Sequence, residues 1–337
     1  MKDKFDFNDI LIQPAKVSSI SSRKEINPFY SGFLPLITAP MDTVINSATT
    51  QLYTNLKITP CLPRGEEWVN GYKFSSYSLI EIENMCKAPG RVEFSKRSGY
   101  FLIDIANGHM EKMVTTVKKF KKLFPKSKLM VGNIANPETY VELSNAGADY
   151  IRVGIGNGGA CSTTVHTGVG YPMASLVHEC YLLSCGLDKP AKIVADGGMQ
   201  NYSDIIKALA LGADYVMVGS LFNKALESCG DNYLWKKIKV SQSMAEWAYN
   251  HKIPVYKKFR GMSTKEVQKK WGKEKLTTSE GVVRFRRVEY TLKQWVENFE
   301  AYLRSAMSYS NAKKLEDFIG CPNTIQITNN AYKRFNK

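Results

Sequence analysis

Apolar residues gather along the chain in short continuous runs, the pattern of strands buried on both faces rather than one. The runs fall at 34–39, 58–62, 100–105, 128–132, 150–154, 192–195 and 215–219, with a weaker one at 73–76, making eight candidate strands. Between most of them the period lengthens to that of an amphipathic helix. Residues 110–124 place Met110, Met113, Val117, Phe120 and Phe124 on one side with lysines opposite. Residues 137–146 open with Pro137 in a first turn and stop before Gly147, and 171–185 and 202–211 continue the alternation. Eight strand–helix units predict an α/β fold, a parallel (β/α)8 TIM barrel, with a doubly wound open sheet as the competing arrangement.

Two places break the rhythm. Only residues 64–72, with Gly65 and Gly71 among them, are available for a helix between the second and third strands. After the eighth strand the chain is longer than a connecting helix needs, and 235–249 carries apolar residues at helical spacing. This extra segment, about 230–254, reads as a lid or oligomer contact, or as a surface embellishment. From Val255 the pattern loosens through a flap-like polar stretch at 277–281 to a C-terminal helix expected over 291–307. No repeat or tandem insertion interrupts the chain, so residues 1–337 read as one domain.

Polar residues and glycines stand at successive strand ends: Asp42, Asp104 with Asn107-Gly108, Asn133, Cys161, Asp196-Gly197-Gly198 and Gly219-Ser220. In a barrel these ends converge on the face that carries the chemistry. One Asp-Gly turn means little, because those are turn residues anyway, but repetition at strand after strand means more. Glycine-rich strand ends that lead into helices offer close backbone amides to phosphate. Gly197-Gly198, Gly219-Ser220 and Gly261-Met262-Ser263 are the candidates, and Asp196 suits ribose hydroxyls or a plain turn. The most unusual stretch is 154–163, with four glycines in its first six residues before Cys161 and Thr163. Loop amides favour a thiolate and hence a nucleophilic Cys161; the alternative is a glycine turn beside a buried cysteine. Thr163 and Glu280 are candidates for proton transfer, Glu280 if its loop folds over the site.

Composition narrows the class. Hydrophobic residues at 44% and charged residues at 23% exclude disorder. No apolar run of spanning length and no apolar N-terminal segment is present, so a cytoplasmic protein without membrane insertion is expected. Seven cysteines show no metal-ligand pairing and the four histidines do not cluster, which suits free thiols in a reducing compartment. A formal charge of +15 favours anionic partners. Its lysine pairs are spread over several elements, which fits general anion affinity better than a nucleic-acid site.

The order and spacing of several stretches resemble the inosine monophosphate dehydrogenase and guanosine monophosphate reductase family across nearly the whole chain. They include Phe7-Asn8-Asp9-Ile10-Leu11, Ala39-Pro40-Met41-Asp42-Thr43, Asp104-Ile105-Ala106-Asn107-Gly108, the loop at 154–163, Ala195-Asp196-Gly197-Gly198, Arg260-Gly261-Met262-Ser263 and Ser279-Glu280-Gly281. The resemblance implies a barrel that binds a purine mononucleotide beside a nicotinamide cofactor, with Cys161 attacking C2 of the purine. It implies proton handling by Thr163 and Glu280, a ribose held by Asp196, and a phosphate held by Gly198, Gly219 and Ser220. Asp104 and Ala106 would touch the nicotinamide half of the cofactor and Arg64 its phosphate. A monovalent cation such as K+ on Gly156, Gly158 and Cys161, and a homotetramer, are implied as well.

Thr167-Gly168-Val169-Gly170-Tyr171-Pro172 and the short segment between Met262 and Glu280, which lacks an Arg-Tyr pair, resemble the reductases. The implied reaction is NADPH-dependent deamination of GMP to IMP and ammonia through a covalent Cys161 intermediate. IMP dehydrogenation to XMP with NAD is the alternative, and a catalytically weak nucleotide- or nucleic-acid-binding barrel is another. Three positions depart from the family. Gly159 stands where relatives usually carry a phosphate-contacting serine, residues 59–64 keep only Arg64 of a basic motif and leave NADH open, and 162–166 lacks basic residues common in reductases.

Overall fold

The computed structural model describes residues 3–66, 73–91, 99–270 and 281–335. Eight parallel strands stand at its centre: β1 (Leu36–Thr38), β2 (Cys61–Leu62), β3 (Phe74–Tyr77), β4 (Tyr100–Asp104), β5 (Lys128–Ile134), β6 (Tyr150–Val153), β7 (Lys192–Asp196) and β8 (Tyr215–Val218). Strands β2 to β8 pair in sequence order, and β8 pairs with β1. The ring closes between β1 and β2, where Ile37 bridges Thr59 and Thr38 N donates to Thr59 O at 3.0 Å. The Thr38 hydroxyl adds to the closure, donating to the Cys61 carbonyl at 3.2 Å and accepting from the Cys61 N–H at 2.7 Å. The closed ring is the expected barrel, and closure leaves no exposed strand edge.

Alternate side chains fill the ring. Ile37, Cys61, Phe74, Leu102, Met130, Val194 and Met217 form one buried cluster. Phe74 meets the rings of Tyr100 and Tyr150 edge-on, each at 5.2 Å. Helices Glu111–Leu123, Pro137–Asn145, Met173–Ser184 and Tyr202–Ala210 cover the outside at the places the periodicity predicts. Their starts are set locally: the Asn136 side chain accepts from the N–H groups of Glu138 and Thr139, with Pro137 behind it. Buried Met113, Val117 and Phe120 hold the first of these helices to the sheet, each worth about 1.5–3 kcal/mol on burial.

The chain after the barrel differs from expectation. The helix expected over 235–249 begins later, at Gln242–Asn250, capped by the Ser241 side chain. Ahead of it, β9 (Asn232–Leu234) and β10 (Ile238–Val240) form a hairpin whose turn holds Trp235 and Lys236 at φ of 49° and 61°. The segment at 230–254 is therefore a hairpin and a helix. Beyond it the loosened pattern hides two more strands, β11 (Val255–Arg260) and β12 (Val283–Arg287). The four strands make an antiparallel sheet in the order β10-β9-β11-β12. Asn223 ties this sheet to the barrel, donating to Thr43 O at 2.8 Å and Lys258 O at 3.2 Å. Arg260 does the same through Asp42 at 2.6 Å. The C-terminal helix runs Leu292–Tyr309. Most of the helix expected at 64–72, and residues 277–280 of the flap-like stretch, lie outside the described residues.

Lys257 explains why β11 is hard to read, since a lysine occupies one of its buried positions. Fully buried, it donates to the Ser228 carbonyl at 2.6 Å. Burial pushes its pKa down from 10.5 to about 8, against the pull of Cys229 and Glu227. The unfolded chain keeps this proton to higher pH than the fold does, so the group's cost is complete below about 8 and disappears by about 10.5. That gap is on the order of 3 kcal/mol, of which the lost hydrogen bond to Ser228 would return about 1. Lys257→Met is therefore expected to stabilise the protein by about 2 kcal/mol at pH 7 and to flatten the rise in stability above pH 8. Urea melts across that pH range check it, and an unchanged slope would count against the assignment.

Candidate active site

The carboxyl ends of the barrel strands open into a cleft of about 780 Å3. Small-molecule sites commonly span about 300–1,000 Å3. The cleft brings together Arg64, Asp104, Ala106, Gly156, Gly158, Cys161, Thr163, Asp196, Gly197, Gly198, Gly219, Ser220, Gly261, Met262 and Ser263. Of the residues assigned roles from the sequence only Glu280 is missing, and it lies outside the described residues; the strand-end residues Asp42, Asn107 and Gly108 do not line the cleft.

The loop after β6 needs its glycines. At Gly154, φ is +129° and a Cβ would stand 2.3 Å from the Asp196 carbonyl oxygen. At Gly156, φ is +83° and a Cβ would stand 1.7 Å from Thr164 Oγ1. This path delivers Cys161 to the cleft just before the short helix Thr163–Thr167. The turn is closed by Cys161 N donating to Gly158 O at 2.9 Å. Cys161 Sγ donates to Thr163 Oγ1 at 3.2 Å, so thiol and hydroxyl are within proton-exchange reach. From the other side Gly281 bridges Cys161, Val282 N donates to Ala160 O at 3.1 Å, and Gly261 N donates to Val282 O at 3.2 Å. One strand of chain thus pins both the cysteine loop and the loop that follows β11.

Beside the loop a polar layer joins Asp104, Asn133 and Asp196, all three read from the sequence, through Arg152, which sequence reasoning missed. Arg152 points inward from β6 with its side chain only 7% exposed. It donates to Asp104 Oδ1 and to Asp196 Oδ2, both at 2.7 Å. Asn133 Nδ2 adds a second bond to Asp196 Oδ2 at 2.8 Å. Burial opposes the charge on Arg152, but the carboxylates of Asp196 and Asp104 overcome it and hold its pKa above the ordinary value. The arrangement fixes one oxygen of Asp196 by two donors. A charged residue at an inward position of a buried strand was the available signal.

The tight glycines line the same cleft. Gly197 and Gly198 adopt φ of +89° and +88°, and a Cβ at Gly197 would meet Gly158 N at 3.0 Å. Gly219 lies against Ala39 and Met41, each 3.2 Å from the place of a Cβ. Three cations missed in the sequence, Lys224, Arg284 and Arg286, also line the cleft. Among the described residues no three His, Cys, Asp or Glu gather to hold a metal ion, and no helix is long and apolar enough to cross a membrane.

Comparison with known proteins agrees with this geometry. The family model described as IMP dehydrogenase / GMP reductase domain matches residues 94–335. The GMP reductase of Buchnera aphidicola subsp. Schizaphis graminum is 33% identical over 78% of this chain and 82% of its own. GMP reductase 2 of Homo sapiens is 31% identical over 96% of this chain and 94% of its own. The GMP reductase of Onchocerca volvulus is 28% identical, over 98% and 93%.

Proposed function

Because the chain belongs to the IMP dehydrogenase / GMP reductase family, we propose that it reduces GMP to IMP with release of ammonia. The observation that carries the chemistry is the Cys161 thiol beside the Thr163 hydroxyl at 3.2 Å, in a loop built from glycines and opening on the cleft. The Cys161 sulfur bonds to C2 of the purine while its thiol proton passes by way of the Thr163 hydroxyl to the 2-amino group, which leaves as ammonia, and a covalent intermediate remains. Glu280, whose chain neighbour Gly281 bridges Cys161, is proposed to supply or accept protons in the same step. Asp196 accepts from the ribose hydroxyls, oriented by Arg152 and Asn133. Backbone amides around Gly197, Gly198, Gly219, Ser220, Gly261, Met262 and Ser263 hold the phosphate.

A reduced nicotinamide cofactor, NADPH or NADH, would supply the hydride that takes the place of the sulfur at C2, with Cys161 leaving as the thiolate and IMP released. Arg64, Asp104, Ile105 and Ala106 line the same cleft and would hold it. Asp104 is itself held by Arg152, so this wall is rigid where a carboxamide would dock. The neutral carbonyls of Gly156, Gly158 and Cys161 suit a monovalent cation such as K+ better than a divalent one. The proposal includes a single barrel domain spanning the chain, working in the cytoplasm as a homotetramer.

Purified protein with GMP and NADPH is expected to consume the reduced cofactor and to release one ammonia per IMP formed. The matched reaction of IMP with NAD is expected to be silent. Turnover only in the second reaction would make the protein a dehydrogenase, and turnover in neither would leave a nucleotide-binding barrel.

A further inference from the structure

Arg286 reaches the cleft from β12, outside the barrel. A Cβ placed on Gly159 would stand 2.7 Å from its Nη2 and 3.9 Å from the Cβ of Ser220. The guanidinium therefore occupies the space that a side chain at position 159 would take, next to the Gly219-Ser220 strand end. Its plane is supported by Phe259, with the guanidinium carbon 5.0 Å from the ring centroid. Its Nε is buried with no hydrogen-bond partner among the described residues. Burial, and then the neighbouring Arg284, push the Arg286 guanidinium below its ordinary pKa, so an anion beside it would relieve both effects. A planar cation held in a cleft by stacking, with an unsatisfied donor, is matched to the two oxygens of a phosphate.

We propose that Arg286 binds the 5′-phosphate of the purine nucleotide, taking from the appended sheet the place of a side-chain donor at residue 159. The inference rests on the nucleotide reading above. It also couples the two positions: a side chain at residue 159 must push the Arg286 guanidinium aside, and with Arg286 shortened it need not. Arg284, two residues earlier on the same strand, also lines the cleft and adds positive charge to this end.

The test measures dissociation constants for GMP and for guanosine by calorimetry, with steady-state kinetics alongside. Wild type, Arg286→Ala, Arg286→Gln, Gly159→Ser and the double variant Gly159→Ser/Arg286→Ala are compared, each checked for an unchanged thermal unfolding profile. Arg286→Ala and Arg286→Gln are expected to weaken GMP binding by roughly 10- to 100-fold and guanosine binding by less than about twofold. KM for GMP should rise far more than kcat falls. Gly159→Ser alone should also weaken GMP binding, because it displaces the guanidinium, while the double variant should bind GMP more tightly than Arg286→Ala. GMP and guanosine weakened alike, GMP binding unchanged, or GMP binding tightened by removal of the arginine would each overturn the assignment. A wild-type protein that binds no purine nucleotide would overturn the functional reading as well. A wild type that binds GMP beside unaffected Arg286 variants would overturn this inference alone.

Discussion

Replacing Cys161 with serine is expected to abolish turnover of GMP while leaving GMP binding measurable. The sulfur is the only group on the loop at 154–163 with both a soft nucleophile's reactivity and a place in the cleft, and its neighbour Thr163 is 3.2 Å away. A serine hydroxyl at the same position is almost fully protonated at neutral pH and far less nucleophilic, whereas its volume and polarity hardly alter the cleft. The loss in kcat should reach roughly three to six orders of magnitude, the scale seen when a covalent catalyst loses its nucleophile. Ammonia release from GMP, followed under single-turnover conditions, reads the first half of the reaction directly. Mass spectrometry of wild-type protein quenched with GMP should show the adduct on the peptide containing Cys161. A serine variant with a near-normal rate would eliminate the covalent route.

Replacing Arg152 with methionine should produce the largest loss of stability. Arg152 pairs with two carboxylates whose side chains are only 17% and 16% exposed, so its removal leaves Asp104 with Arg64 at 3.7 Å and Asp196 with the neutral Asn133 in the barrel mouth. Breaking a buried ion pair on one side costs about 3–5 kcal/mol, well above what the methionine recovers by packing. The loss should depend on pH. Without the arginine the two partly buried carboxylates repel each other, and protonating them relieves that repulsion. The gap to wild type should therefore narrow in acid, where both carboxylates are neutral in the folded and the unfolded chain. Adding Asp104→Asn and Asp196→Asn to the variant should recover most of the stability but not ribose recognition. Denaturant melts at pH 4 and pH 8 decide the matter, and equal deficits at both would mean the carboxylates are not the cause.

The barrel was legible in the sequence because its strands are buried on both faces. Their continuous apolar runs contrast sharply with the amphipathic helices between them, as in residues 110–124 against 128–132. The site was legible for a related reason: glycines and acids recur where strands end, and a parallel barrel gathers those ends. Cys161, Asp196 and Gly219-Ser220 could thus be grouped before their distances were known. The appended sheet was not legible, because its polarity is inverted. In β12 Val283 and Phe285 are exposed, at 46% and 39%, as are Arg284 and Arg287, while Arg286 is half-buried and lines the cleft together with Arg284. In β11 the buried position 257 carries a lysine. A reading that assigns apolar residues to the inside turns such strands around or dissolves them. Arg152 escaped for a similar reason, since its meaning depends on two acids that are 48 and 44 positions away in the chain.

The chain from Gly281 to Arg287 carries a constraint of a different kind. At one end it is laced to Cys161 and Ala160, and within a few residues it turns Arg284 and Arg286 toward the cleft. Side chains on a strand alternate, so inserting or deleting a single residue between the lacing and the arginines would send both cations to the outer face and bring Val283 or Phe285 to the nucleotide. Substitutions here change one contact each, but a change of length reverses the whole strand at once. Descendants and engineered forms of this protein can therefore vary the letters of this segment more freely than their number.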